Sequence, residues 1–342
     1  MGLLNIRIVF LTYLLLYFTV NIVSAQVKLS REQDTLKLKK ISWQKLKLYF
    51  DDDYLNIAGK GTDQYYTAGW QFDAYYKRNI RGRSVFDRLL MSLPHGQDNY
   101  YYGMCRRIYT PADLIQPQII YGDRPYASVI TIQHGMVSTD PDSKESISTD
   151  IGAGAIGPIT YGGQIQTWFH KIIGDQQPMG WKNQIRNNVV LDYNLNYARQ
   201  ILKPSPNLEL LANVDCEAGT LVDNMGIGFT MSFGNLNGHL LKENQLLVEN
   251  EKQSGKVAIH AYMHPTVRAV IYNATLEGGF FSNMDPYVIS RSDINVVYLQ
   301  YDFGFVLQAG RFGISLAEKL RTAEFRYGQT QEVGNITMFI PM

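Results

Sequence analysis

The sequence predicts an all-β protein, a transmembrane antiparallel β-barrel of about twelve strands. Three observations carry this. The chain opens with an export leader, no later stretch approaches 18 consecutive apolar residues, and long segments alternate apolar and polar residues with a period of two. A membrane span without apolar helices must be a closed barrel, because only helices and barrels satisfy their own backbone groups in hydrocarbon. The composition agrees with an ordered, exported chain. Charged residues are only 18% of the 342 residues, whereas Tyr counts 23 and Gly 29, so the chain is not of the disordered class. A net charge of +1 without long Lys/Arg runs excludes the basic face of a nucleic-acid binder. Two cysteines, Cys105 and Cys216, allow at most one disulfide.

Residues 1–25 read as a signal peptide, with Arg7, an apolar run from Ile8 to Val20, and Val23-Ser24-Ala25 before a cut at Gln26. Residues 26–42 are polar and basic, a periplasmic lead-in, and 43–342 form the barrel. Its strands fall near 43–51, 65–77, 100–109, 125–138, 146–155, 187–200, 207–219, 224–234, 257–273, 294–308, 311–326 and 335–341. In the second, Ala68, Trp70, Phe72, Ala74 and Tyr76 alternate with Gly69, Gln71 and Asp73. The sixth carries Val189, Leu191, Tyr193, Leu195 and Tyr197, the seventh Leu208, Leu210, Ala212, Val214 and Cys216, and the eighth Met225, Ile227, Phe229, Met231 and Phe233. In the tenth, Val297, Leu299, Tyr301, Phe303, Phe305 and Leu307 do the same. A soluble sandwich also alternates, but these segments reach the 9 to 11 or more residues of a tilted membrane strand. Trp70, Phe72, Leu191, Tyr193 and Phe229 are therefore expected to face lipid.

With the N-terminus in the periplasm, the odd-numbered connections lie outside, and the longest of them, 156–186, is the first place to look for function. The periplasmic link 78–99 is long, and Gly82 to Leu93 suits a short helix. Three polar clusters gather at the outer rim: Phe50 to Tyr54 with Thr62 to Gly69, Tyr121 to Ser128, and Gly162 to Gln184. In the last, Gln166 and His170 share a helix face, with Ile165, Trp168, Phe169, Ile172 and Ile173 available to pack. His170 is a candidate general base, or else a histidine that hydrogen-bonds its loop. Asp51, Asp52 and Asp53 suit either a calcium-like oxygen site or a solvated acidic loop end. Asp123 and Arg124 could grip a phosphate, with an internal ion pair as the default. No G-x-S-x-G, H-E-x-x-H, P-loop or paired C-x-x-C motif is present, so no serine nucleophile or zinc site is indicated.

In order, DDDY (51–54), TDQYYTAG (62–69), IYTP (108–111), GDRPYA (122–127), GPITYGGQIQTWFHKIIG (157–174), GW and NQ (180–184) and TAEFRYG (322–328) resemble the lipid A 3′-O-deacylase (LpxR-like) family of outer-membrane barrels. The resemblance spans nearly all of the mature chain. It implies a twelve-stranded barrel that removes 3′-linked acyl chains of lipid A, in the outer leaflet, with a calcium ion. By position, His170 would activate water, Asp52 and Asp53 would belong to the polar, metal-dependent site, and Thr67 matches a threonine of that site. Asp52 stands where the family typically has Asn. The family's active-site lysine has no counterpart in Asp113 to Tyr121, where Gln116 is nearest in position, so Arg106, Arg107 or Arg124 would have to replace that cation. Other readings are a non-catalytic barrel, as a pore or surface scaffold, and an outer-membrane phospholipase.

Overall fold

In the computed structural model, residues 41–57, 64–78, 84–236, 257–282 and 284–342 are described. The expected leader, and the expected lead-in up to residue 40, lie outside them. Twelve antiparallel strands close into one barrel: β1 (Ile41–Asp52), β2 (Tyr65–Arg78), β3 (Gln97–Thr110), β4 (Ala127–Asp140), β5 (Glu145–Ile156), β6 (Asn188–Ser205), β7 (Leu208–Gly219), β8 (Val222–Gly234), β9 (Val257–Asn273), β10 (Val297–Ala309), β11 (Phe312–Arg321) and β12 (Gln331–Pro341). Each strand pairs with its sequence neighbours, and β1 pairs with β12 from Lys45↔Pro341 to Asp52↔Gly334, so no edge is left unpaired. Among the described residues no helix is long and apolar enough to cross a membrane.

The two faces of the wall explain the alternation. On β10, Val297, Leu299 and Phe305 point outward and are each more than half exposed. Ile227 and Phe233 do so on β8, with Phe229 exposed beside them, and Val189 and Leu191 on β6. Trp70 and Phe72 stack on the same outer face, their ring centroids 4.7 Å apart. The opposite parity lines the lumen, where charge must be paired to be tolerated away from water. There Lys47 meets Asp73 at 3.1 Å and Arg268 meets Asp215 at 3.2 Å. Tyr101 and Asn194 both donate to Asp150, and Lys319 donates to the Tyr49 hydroxyl. This network surrounds two cavities of about 250 and 300 Å³.

The same parity rules out the Cys105–Cys216 bridge. Cys105 points into the lumen, Cys216 lies on the outer face between Asp215 and Glu217 of the lumen lining, and both thiols are free. At the even-connection end, the segment expected to be a helix from Gly82 to Leu93 is only a 3₁₀ turn, Phe86–Leu89, with Gly82 and Arg83 outside the described residues. The turn lies on the outer wall. Its Leu89 carbonyl accepts from the Tyr193 hydroxyl, and the Met91 and Leu93 amides donate to Thr149 and Ser138. At the odd-connection end, Tyr65, Leu276, Ile289, Ile294 and Phe325 form an apolar cluster.

Candidate functional site

One register row runs across the outer face of four strands: Asp52 pairs with Ala68, Ala68 with Ile108, and Ile108 with Ser128. The register slips between Tyr66 and Ala68, so Thr67 is the extra residue of a bulge, a device that re-aims a side chain. Thr67 is buried, and its hydroxyl lies 2.7 Å from that of Thr110.

The three aspartates divide. Asp51 has the parity of Lys47 and Tyr49, turns into the lumen, and accepts from the hydroxyls of Tyr49 and Tyr66, both at 2.8 Å. Asp52 caps the following 3₁₀ turn, Asp53–Leu55, by accepting from the Tyr54 amide at 2.8 Å. Asp53 is buried and accepts from the Gln64 amide at 3.1 Å. A run of three carboxylates gathered on one cation is therefore not formed, because a period of two sends neighbours to opposite faces.

The connection after β5 folds back on the outer wall and carries helix α1 (Gly162–Ile173). Two glycines permit the approach: a Cβ on Gly162 would overlap Ser128, and one on Gly163 would lie 2.8 Å from the Trp181 ring. The buried stripe of α1 is Gly162, Gly163, Gln166 and His170, so the expected shared face of Gln166 and His170 is formed. Ile165, Trp168 and Ile172, expected to pack, are instead 40%, 59% and 44% exposed, on the side of the helix turned away from the wall. Trp181 donates from Nε1 to Gln166 Oε1 at 2.8 Å and packs with Ile108, Leu114 and Tyr126. The Met179 amide donates to Leu114 O and Asn183 Nδ2 to Pro117 O, so the β3–β4 and β5–β6 connections dock on each other.

His170 is 2% exposed. Gly174 ends the helix in the left-handed region at φ 70°, which turns the chain back and brings the Gln176 carbonyl to 2.6 Å from His170 Nδ1. A carbonyl only accepts, so Nδ1 carries a proton, and in the neutral ring the lone pair is on Nε2.

The three arginines go to different places. Arg124, in the β3–β4 connection, is 1% exposed, forms an ion pair with Glu324, donates to Thr275 at 3.0 Å and lies over the Tyr109 ring. Burial by itself would raise the Glu324 carboxyl, but Arg124 and Arg321 beside it hold it below the ordinary range. Asp123 accepts from the amides of Ala112 and Arg124 and braces the turn, and burial raises its carboxyl above the ordinary range. The default reading of this pair, a brace at the barrel mouth, is thus the one formed. Arg107 lines the lumen. Arg106 is on the outer face and donates from Nη2 to the Thr160 carbonyl at 2.7 Å, just before α1.

The expected calcium ion finds a thin donor set. Among the described residues no group of three or more His, Cys, Asp or Glu side chains has metal-binding geometry. Asp52 and Asp53 each give one oxygen to a backbone amide. Calcium takes six to eight oxygens, more than Asp52 and Asp53 alone supply, and no catalytic step is routed through it.

No curated protein matches the chain significantly. Among solved structures, LpxR from Salmonella typhimurium aligns with a TM-score of 0.69 at 21% identity, covering 86% of this chain and 99% of that one. The β domain of the Bordetella autotransporter BrkA aligns with a TM-score of 0.42 at 8% identity, over 88% of this chain and 100% of that one. The family model for the outer membrane protein LpxR matches residues 10–342. With nearly its whole length matched and its twelve strands closed in the same kind of barrel, the chain belongs to the LpxR family of outer-membrane proteins.

Proposed function

We propose that this outer-membrane protein is a lipid A deacylase, a hydrolase that cleaves ester-linked 3′ acyl chains of lipid A at the outer wall of its own barrel. The observation that carries the reading is His170. It lies on the buried face of α1, and its Nδ1–H is committed to the Gln176 carbonyl, so a neutral ring would offer Nε2 as a base. In the proposed reaction Nε2 takes a proton from water as the oxygen adds to the ester carbonyl carbon. The tetrahedral intermediate then collapses, the bond to the sugar oxygen breaks, and that oxygen takes the proton back from the imidazolium. The products are a fatty acid and a free sugar hydroxyl. Thr67, Asp52 and Asp53 are assigned to the polar end of this site, in orienting water and substrate. The exposed Trp168 and Ile172 on the outer side of α1 suit acyl chains that stay in the membrane.

Mass spectrometry of lipid A from cells with and without the protein tests this. Loss of 3′-linked acyl chains in its presence is expected, and an unchanged lipid A mass would overturn the reading. Calcium stays part of the proposal: chelation is expected to abolish activity and added calcium to restore it, and full activity in chelator would remove the ion from the reading.

A further inference from the structure

We infer that Arg106, with Ser128 and Gln166, forms a pocket for a phosphate group on the sugar backbone of the lipid substrate, and that it anchors the headgroup rather than the reacting carbonyl. The inference rests on the lipid A reading above. Its ground is a concentration of unmet donors. Arg106, Ser128 and Gln166 are 7%, 0% and 4% exposed. Arg106 Nε and Nη1, Ser128 Oγ and Gln166 Nε2 have no hydrogen-bond partner among the described residues. Arg106 also has no carboxylate partner there, its one contact being the Thr160 carbonyl.

These groups lie on a single seam. Ser128 touches Gly162 at the start of α1, Arg106 reaches Thr160 two residues before it, and Gln166 sits one turn along the same buried stripe. A buried guanidinium with one of its five donors used is costly unless an anion completes it. Backbone carbonyls and amides of the wall are already paired in the β3–β4 ladder, so among the described residues no acceptor completes the guanidinium, and a ligand anion can. The planar fork of Arg with adjacent hydroxyl and amide donors suits a phosphate. Lipid A is a phosphorylated disaccharide, so it carries that group on the same molecule as the ester.

Position separates an anchor from an oxyanion hole. Arg106 and Ser128 meet the start of α1, eight residues or roughly 12 Å along the axis from His170, and Gln166 stands between, roughly 6 Å from it. An oxyanion donor must sit about 3 Å from the reacting oxygen. Farther down the same outer face of β3, Met104 and Tyr102 are 38% and 53% exposed, so the seam borders the lipid-facing wall where acyl chains would lie.

The test uses the full-length protein in detergent, with diphosphorylated and dephosphorylated lipid A as substrates. For Arg106→Met, KM for the phosphorylated substrate is expected to rise about 10- to 100-fold with kcat within about twofold, the loss of one charge-assisted contact. Wild type should lose the same factor when the phosphates are removed, and the variant should then lose nothing further. Arg106→Lys, which keeps the charge, should recover part of the KM, and a heat-modifiable band on gels checks that each variant is folded. An equal fall of kcat on both substrates would overturn the anchor in favour of an oxyanion role. Protection of the wild type by millimolar inorganic phosphate alone, equal to that by the lipid, would overturn the lipid-headgroup assignment. Binding of both lipids to His170→Ala separates the two claims. If binding depends on phosphate and Arg106 but wild type never hydrolyses, the pocket stands and the deacylase reading falls. Binding indifferent to both overturns the pocket.

Discussion

At the scale of single residues, the site depends on which side of the wall each side chain takes. His170 was legible in the sequence because it stands in the longest odd-numbered connection, one turn after Gln166, and both prove buried on one helix face. Asp51 was misleading. Three adjacent carboxylates read as one cluster, yet Lys47, Tyr49 and Asp51 share the lumen parity, so the run is split by the strand that carries it. Arg106 could be named only as one of three candidate cations. Only the fold separates it from Arg107, which faces inward, and from Arg124, which is held by Glu324. His170→Ala and His170→Gln are expected to lower the rate of deacylation about 10²–10⁴-fold, the range for a positioned acid–base group. The glutamine variant keeps a hydrogen-bonding amide but takes no proton, so near wild-type turnover by it would remove His170 from the reaction. Gly163→Ala is expected to weaken activity through position alone, since its Cβ would press on Trp181 at 2.8 Å. Its lipid A turnover should fall while the barrel stays heat-modifiable.

At the scale of elements, alternation was readable wherever a strand separates lipid from lumen, and it blurred where something other than lipid covers the wall. The outer faces of β3 and β4 carry Arg106, Thr110 and Ser128 because α1 and its neighbouring connection lie on them. The sequence there breaks its own pattern, and that break marks where α1 covers the wall. Strand ends were less legible. The TAEFRYG motif, read as the end of a strand reaching 326, lies in the connection after β11, which stops at Arg321 so that Glu324 can meet Arg124. At the other end, the Phe86–Leu89 turn is fastened by Asp87, which accepts from Ser84 and pairs with Arg78 and His134. Burial by itself would raise the Asp87 carboxyl, but the bonds from His134, Ser84 and Arg78 outweigh it and hold it below the ordinary range. The stabilisation from a depressed carboxyl is full above its unfolded value, near 3.9, and is lost as pH falls toward the folded one. Proteolysis within 84–93 should therefore increase below about pH 4, whereas Asp87→Asn should be cut equally at all pH values.

At the scale of the whole molecule, a closed wall with a lumen lined by ion pairs is what the proposed deacylase expects, and conductance is what tells it from a pore. Lys47 with Asp73 and Arg268 with Asp215 cross the lumen lining, and Arg124 with Glu324 holds its mouth. Planar-bilayer recordings are expected to show conductance well below that of an open porin, and Asp73→Ala, which strands a buried lysine, should cost about 3–5 kcal/mol of stability. A lower unfolding temperature on heat-modifiability gels would report that loss. The central claim is that the outer wall under α1 is a hydrolytic site for lipid A, and one measurement reaches it most directly: lipid A mass spectra from otherwise identical cells making the wild-type protein or His170→Ala at equal outer-membrane levels. The account predicts loss of the 3′-linked acyl mass in the wild type and intact lipid A with the variant. Intact lipid A in both, or equal deacylation in both, would contradict it.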